Sequence, residues 1–227
     1  MRKDLVIGAV TKYNWDNIKC WVNSLERTGY SGDKLMVVFE VDNDLIFKLK
    51  DKGFMIYQAE PNPSGNIVVD RFFYYWSAIN DLLLDNEYRY VIATDVKDVI
   101  FQTNPAEYLE DFLVECDLVA SSESIRYKDE VWGRNNLKEA FGELIYEQLK
   151  DKVIYNAGVM AGKVEALRDL FLQLYLICCN MNPHVQGGGG PDQAAYNILM
   201  HNKMYYKSTL HLGTEFEWAA QLGTTMD

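Results

Sequence analysis

The sequence has no long hydrophobic run. Its longest apolar stretch, Leu170 to Cys179, contains Gln173 and falls far short of the roughly 20 residues that a membrane-spanning helix needs. Cysteines number only four, two of them adjacent (Cys178 and Cys179), with neither a metal-ligand spacing nor a plausible disulfide framework. The opening Met1-Arg2-Lys3-Asp4 leads straight into a short apolar segment, without the h-region and cleavage site of a signal peptide. Together these absences predict a reduced, cytoplasmic setting. Basic residues are also in deficit: 22 Lys and Arg stand against 33 Asp and Glu, a net charge of −11. That balance argues against a nucleic-acid groove and against a polybasic membrane patch. No Gly-x-Gly-x-x-Gly follows the first apolar run, which counts against a dinucleotide-binding domain. The same region, Val10-Thr11-Lys12-Tyr13-Asn14-Trp15, lacks the Gly-rich basic loop expected of a nucleotidyltransferase. There is no internal repeat, and no low-complexity tract beyond Gly187 to Gly190.

What the chain does contain is enough for a packed core: 227 residues, 48% apolar and 13% aromatic. Strand and helix signals alternate along it. Leu5 to Val10, Leu35 to Phe39, Phe54 to Tyr57, Tyr90 to Thr94, Leu118 to Ala120 and Gly158 to Ala161 read as short strands, with another at Tyr205 to Leu210. Asn14 suits the N-cap of a helix that places Trp15, Ile18, Trp21, Val22 and Leu25 on one face. Phe72 to Leu83, Val164 to Cys179 and Pro191 to His201 show helical spacing, the last with proline at its first position. The 61–66 stretch is a loop by composition. Strands separated by helices predict an α/β fold: one Rossmann-like domain over residues 1–227, a mostly parallel central sheet with helices on both faces. Trp218 to Asp227 ends on a polar tail with no closing element, which reads as a domain cut from a longer, multidomain polypeptide.

Open α/β sheets bind ligands at the carboxyl ends of their strands. The Tyr90 to Thr94 run ends in Asp95-Val96-Lys97-Asp98, two carboxylates three residues apart on a short turn. Hard oxygen donors in that arrangement suit Mg²⁺ or Mn²⁺, which bridge the phosphates of a substrate and make an acidic pocket hospitable to an anion. The alternative reading makes Asp95 a cap and Asp98 a solvated surface charge.

The stretch from Ala93 to Gln102, then Asn104-Pro105, resembles the aspartate motif of GT-A-fold glycosyltransferases, in the Asp-x-x-Asp variant of small viral and bacterial members. Three other stretches fit the same family in its order: Ala9 to Tyr13, Tyr155-Asn156-Ala157-Gly158-Val159, and Gly190-Pro191-Asp192-Gln193. The resemblance covers most of the chain. It implies a nucleotide-sugar donor, with UDP the default nucleotide by family frequency, a glycan acceptor, and Mn²⁺ or Mg²⁺ on Asp95 and Asp98. The usual motif has one residue between its aspartates, so which of the two ligates directly stays open.

By the same resemblance, Thr11 and Tyr13 line the nucleotide pocket; a hydroxyl and an aromatic face suit a nucleobase, though Tyr13 can equally pack on the sheet edge. Arg71 could reach a phosphate or ribose, or pair with Asp70 or another nearby acid. Asn156, Ala157 and Gly158 would lie beside the donor sugar, where small residues let backbone approach. Asp192 and Gln193 open a helix behind four glycines, and Asp192 serves either the helix dipole or the sugar and acceptor hydroxyl. In many family members a late histidine completes the metal shell; His211 is in the right region, although a lone histidine is more often structural. Catalysis is expected of Asp98, through the metal, and of Asp192 or Glu123 as a base if the reaction inverts configuration; the resemblance leans towards retention. Trp132 and Trp218 are loop candidates for stacking on a sugar, with core packing the competing role. The helix holding Cys178 and Cys179 reads as buried core. A sugar-nucleotide-binding domain without turnover is the rival reading.

Overall fold

The computed structural model describes residues 3–60, 66–213 and 218–224; positions 61–65 of the expected loop and the last three residues of the tail lie outside them. The chain begins with β1 (Lys3–Val10), α1 (Trp15–Arg27), β2 (Asp33–Val38), α2 (Asn43–Asp51), β3 (Phe54–Gln58) and α3 (Ile67–Leu83). It continues through β4 (Tyr88–Thr94), β5 (Val99–Phe101), α4 (Pro105–Phe112), β6 (Leu118–Arg126), α5 (Val131–Leu149) and β7 (Val153–Lys163). It closes with α6 (Val164–Cys178), α7 (Asp192–Met200), α8 (Lys203–Ser208), β8 (Thr209–Leu212) and β9 (Ala219–Gln221).

Seven strands form one sheet in the order β3-β2-β1-β4-β7-β6-β8, and β5 pairs with β9 in a separate ribbon. All neighbours in the large sheet are parallel except those of β7, which runs against both β4 and β6. The architecture is therefore α/β with a mostly parallel, Rossmann-like sheet. Its strands read as unbroken apolar runs because both faces are covered. Leu5 and Ile7 of β1 face a core with Phe72 and Ile79 of α3, Phe171 and Leu174 of α6 and Ala195 of α7. Val6 and Val10 face the opposite core, with Ile18, Trp21 and Leu25 of α1, Leu45 of α2 and Leu109 of α4. Among the described residues no helix is long and apolar enough to cross a membrane.

Local chemistry sets the helix starts near the site. Asn14 caps α1 in a reciprocal box with Asn17, each side chain accepting from the other's backbone N–H. Asn66 caps α3 by accepting from the Val68 N–H at 3.1 Å, and its own amide donates to the Pro183 carbonyl at 2.7 Å. The capping fixes where Arg71 leaves the helix.

Several expectations change. The Tyr205 to Leu210 run is not a strand: Asn202 caps the short helix α8 through Met204, and β8 starts only at Thr209. Pro191 occupies the cap position, with helical residues starting at Asp192. The tail does have a closing element, because β9 pairs with β5 and the Trp218 carbonyl accepts from the Gln102 N–H at 2.9 Å. Trp218 itself is fully buried, so it is core and not a platform for sugar. Trp132 sits in the first turn of α5, 40% exposed, and not in a loop. Cys178 is buried as expected, whereas Cys179 is only partly so.

Candidate functional site

The carboxyl end of β4 is anchored before it carries any chemistry. Trp21 Nε1 donates to Thr94 Oγ1 at 2.7 Å, inside the α1 core, and the Asp95 N–H donates to the Gly158 carbonyl at 2.8 Å. The Asp95 carboxylate lies directly over Gly158. A Cβ there would collide with that carboxylate and with Asn156 Oδ1, so no larger residue fits without moving the acid.

A cleft of about 290 Å³ opens in front of this strand end, lined by Thr11, Tyr13, Arg71, Asp95, Lys97 and Asp98 among others. It abuts a second hollow of about 390 Å³, which shares Thr11 and Ile67 and adds Lys12, Phe39, Asp70 and His184. Lys12 holds φ of 54°, a left-handed conformation that turns the chain sharply after β1 and leaves Thr11 and Tyr13 on the cleft wall. Lys97 Nζ stands 5.8 Å from the Tyr13 ring centroid. Burial, with Asp95 and then Asp98 adding to it, pushes the Tyr13 hydroxyl above its ordinary pKa.

Arg71 joins two acidic segments. Its Nη1 pairs with Asp95 Oδ1, its Nη2 donates to Asp192 Oδ2 at 3.1 Å, and its Nε is held by the Val68 carbonyl. The Arg71 and Asp192 side chains are 12% and 7% exposed. The expected alternative partner, Asp70, is not among these contacts. Burial raises the Asp192 carboxyl to about 6; Arg71 opposes the shift without cancelling it. Asp192 is thus an ion-pair partner inside the wall, and its carboxylate is committed to Arg71.

Behind Gly158, amides hold the strand. Asn156 accepts from the Gly158 N–H at 2.6 Å and donates through Nδ2 to Glu123 Oε1 at 3.0 Å. Gln193 accepts from the Ala157 N–H at 3.3 Å and donates to the same Glu123 oxygen at 3.1 Å. Asn197 takes the place of a strand partner for Tyr155, accepting from its N–H at 2.7 Å and donating to its carbonyl at 2.8 Å. Nothing in the sequence pattern singled out Asn197. Gln221, which donates to Asp98 Oδ2 at 3.1 Å, was equally hidden, since 123 residues separate the pair.

Asp95 and Asp98 line the same cleft, and burial followed by the Asp95 charge raises the Asp98 carboxyl. Such a pair fits a divalent cation that takes one or two carboxylates and completes its shell with water and phosphate oxygens. Among the described residues no group of three or more His, Cys, Asp or Glu could hold a metal unaided. His211 is not brought to this pair. It lies in β8 opposite Ala120 of β6, with β6 and β7 between its strand and β4. Its ring rests between Tyr155 and Tyr206, with centroids 5.2 and 4.2 Å away, and Nε2 lies 3.1 Å from the Tyr206 carbonyl oxygen.

Of the expected site residues, Thr11, Tyr13, Arg71, Asp95 and Asp98 share the cleft. Asn156, Ala157, Gly158, Asp192 and Gln193 adjoin it through the contacts above, and His211 stands apart. No protein-family model matches the chain, and no curated protein matches it either.

Proposed function

We propose that the chain is a glycosyltransferase that moves a sugar from a nucleoside diphosphate, with UDP the first choice of base, to a hydroxyl of a glycan acceptor. One observation carries the reading. Four stretches that resemble the GT-A motifs are far apart in sequence, yet their polar side chains meet at the carboxyl end of β4. Thr11 and Tyr13 offer a hydroxyl and a ring face to a nucleobase, and Lys97 and Arg71 set positive charge where a diphosphate would lie. Gly158 leaves the room in which the Asp95 carboxylate sits beside the donor, while Asn156 and Gln193 fix the amides of that backbone. Asp95 and Asp98 would hold Mn²⁺ or Mg²⁺, which when bound supplies Lewis-acid neutralisation of the leaving diphosphate.

The test is thermal unfolding with UDP, GDP and ADP, each with and without Mn²⁺. A ligand at 100 times its Kd stabilises by roughly 2.7 kcal/mol, a readily measured rise in Tm. The reading expects a rise that needs both one nucleotide and the metal and that disappears in Asp98→Ala. No rise with any nucleotide refutes it. Release of nucleotide from the matching nucleotide sugar then separates a transferase from a domain that only binds.

A further inference from the structure

Resting on the transferase reading, we infer that Glu123 is the base that accepts the proton of the incoming hydroxyl, and that the transfer inverts configuration. Three features of the β6–β7 ribbon point to it.

First, Glu123 is held but not consumed. The amides of Asn156 and Gln193 both donate to Oε1, which fixes the carboxylate, while Oε2 accepts no hydrogen bond among the described residues. Asp192, the other acid expected for this role, has its carboxylate tied to Arg71 and is 5% exposed. Glu123 is half-buried and keeps a surface.

Second, the backbone is bent to present it. The β6–β7 register shifts between Ala120 and Ser122 and again between Ser122 and Arg126. Ser124, the next residue, holds φ of 55°, and its N–H is turned back onto Ser122 Oγ at 2.9 Å. Bulges re-aim side chains next to active sites, and left-handed non-glycine residues persist where the surroundings enforce them.

Third, Glu123 is one side chain away from the acidic strand end. Asn156 touches Glu123 with its Nδ2 and the Gly158 N–H with its Oδ1, and Asp95 sits on Gly158. The groups around Glu123 suit a base: burial raises its carboxyl above the ordinary value, Gln193 and Asn156 pull it back down, and the Glu130 charge adds to the rise. It therefore has more proton affinity than a solvated glutamate while its hydrogen bonds favour the ionised form.

The step balances without another reagent. The acceptor oxygen bonds to the anomeric carbon as the bond from that carbon to the phosphate oxygen breaks. Its electron pair leaves with the nucleoside diphosphate, and the acceptor proton passes to Glu123 Oε2.

The test uses water as acceptor, so no glycan need be identified. Wild type and Glu123→Gln are compared for hydrolysis of the UDP- or GDP-sugar whose nucleotide raises Tm with Mn²⁺. Loss of a general base predicts a fall of about 100-fold or more in kcat with the nucleotide-dependent Tm rise intact. In Glu123→Ala, added azide is expected to restore turnover and to yield a glycosyl azide of inverted configuration. Hydrolysis by Glu123→Gln within threefold of wild type overturns the assignment, as does a retained product. A fall in rate accompanied by loss of the nucleotide-dependent rise also overturns it, because Glu123 is then only structural. A wild-type chain with no nucleotide-dependent rise fails the transferase reading itself, and a rise with unaffected hydrolysis in Glu123→Gln fails the base alone.

Discussion

Replacing Asp192 with asparagine should change how stability depends on pH, in a direction set by the burial of its carboxyl. Asp192 is buried and its carboxyl is raised to about 6 despite Arg71, from 3.8 when solvated. The folded protein therefore binds this proton more tightly than the unfolded chain does. The stabilisation is fully present below pH 3.8 and disappears as the pH rises through 6. At 1.36 kcal/mol per pKa unit the full effect is about 3 kcal/mol, and most of it falls between pH 4 and 7. Other carboxylates titrate in this range too, so the quantity to measure is the difference between wild type and Asp192→Asn. Urea unfolding at pH 4, 5, 6 and 7 yields it. The advantage of wild type over the variant should shrink by about 2–3 kcal/mol from pH 4 to 7, with a midpoint shift of roughly 5–10 °C in a thermal scan. A difference that stays constant, or grows with pH, would show that burial does not raise this acid, and the account of the Arg71 wall would fall with it.

Gly158→Ala should fold, since the strand conformation suits alanine, but its Cβ must displace the Asp95 carboxylate. Nucleotide affinity in the presence of Mn²⁺ should drop at least about tenfold, one unit of RT ln 10 or 1.4 kcal/mol, by isothermal titration. Asn197→Ala removes both partners of the Tyr155 backbone at a fully buried position. It should cost about 3 kcal/mol in urea unfolding, and a cost under 1 kcal/mol would mean the strand finds other partners. His211→Ala should leave the Mn²⁺-dependent Tm rise unchanged; losing it would place the histidine in the metal shell after all.

Much of the scaffold was legible because buried parallel strands are written as short unbroken apolar runs, as in Leu5 to Val10 and Tyr90 to Thr94. Elements with mixed composition were not. Helix α5 is interrupted at Gly142, with φ of 85°, and shows no continuous apolar stripe. The Tyr205 to Leu210 run is rich in residues that favour strands, but the cap at Asn202 commits its first half to a helix turn. At the site, residue types at strand ends were readable and their partners were not. Asp70 looked like a natural mate for Arg71, yet adjacent helical residues point about 100° apart and do not face each other. The carboxylates that do meet Arg71 lie 24 and 121 residues away. Such pairings belong to the topology, which brings α7 against β7 beside the end of β4.

The reversal of β7 has a consequence for how the cleft can change. Beyond its last pair with Thr94, β7 extends over 153–158 and is hydrogen-bonded there to the outer half of β6. A strand ribbon thus stands behind the cleft, while the cleft itself is lined by the turns after β1 and β4, the start of α3 and the glycine segment before α7. The ribbon is fixed by ladder and amide bonds; the lining segments are held mainly by side chains reaching across from other elements, such as Asn66 on Pro183, Asn136 on Gly190 and Gln186 on Glu139. Lengthening or recolouring those segments leaves the ribbon where it is. Selectivity for a new ligand can then drift in the loops while the reacting centre keeps its geometry, a division of labour between a constant anvil and replaceable jaws.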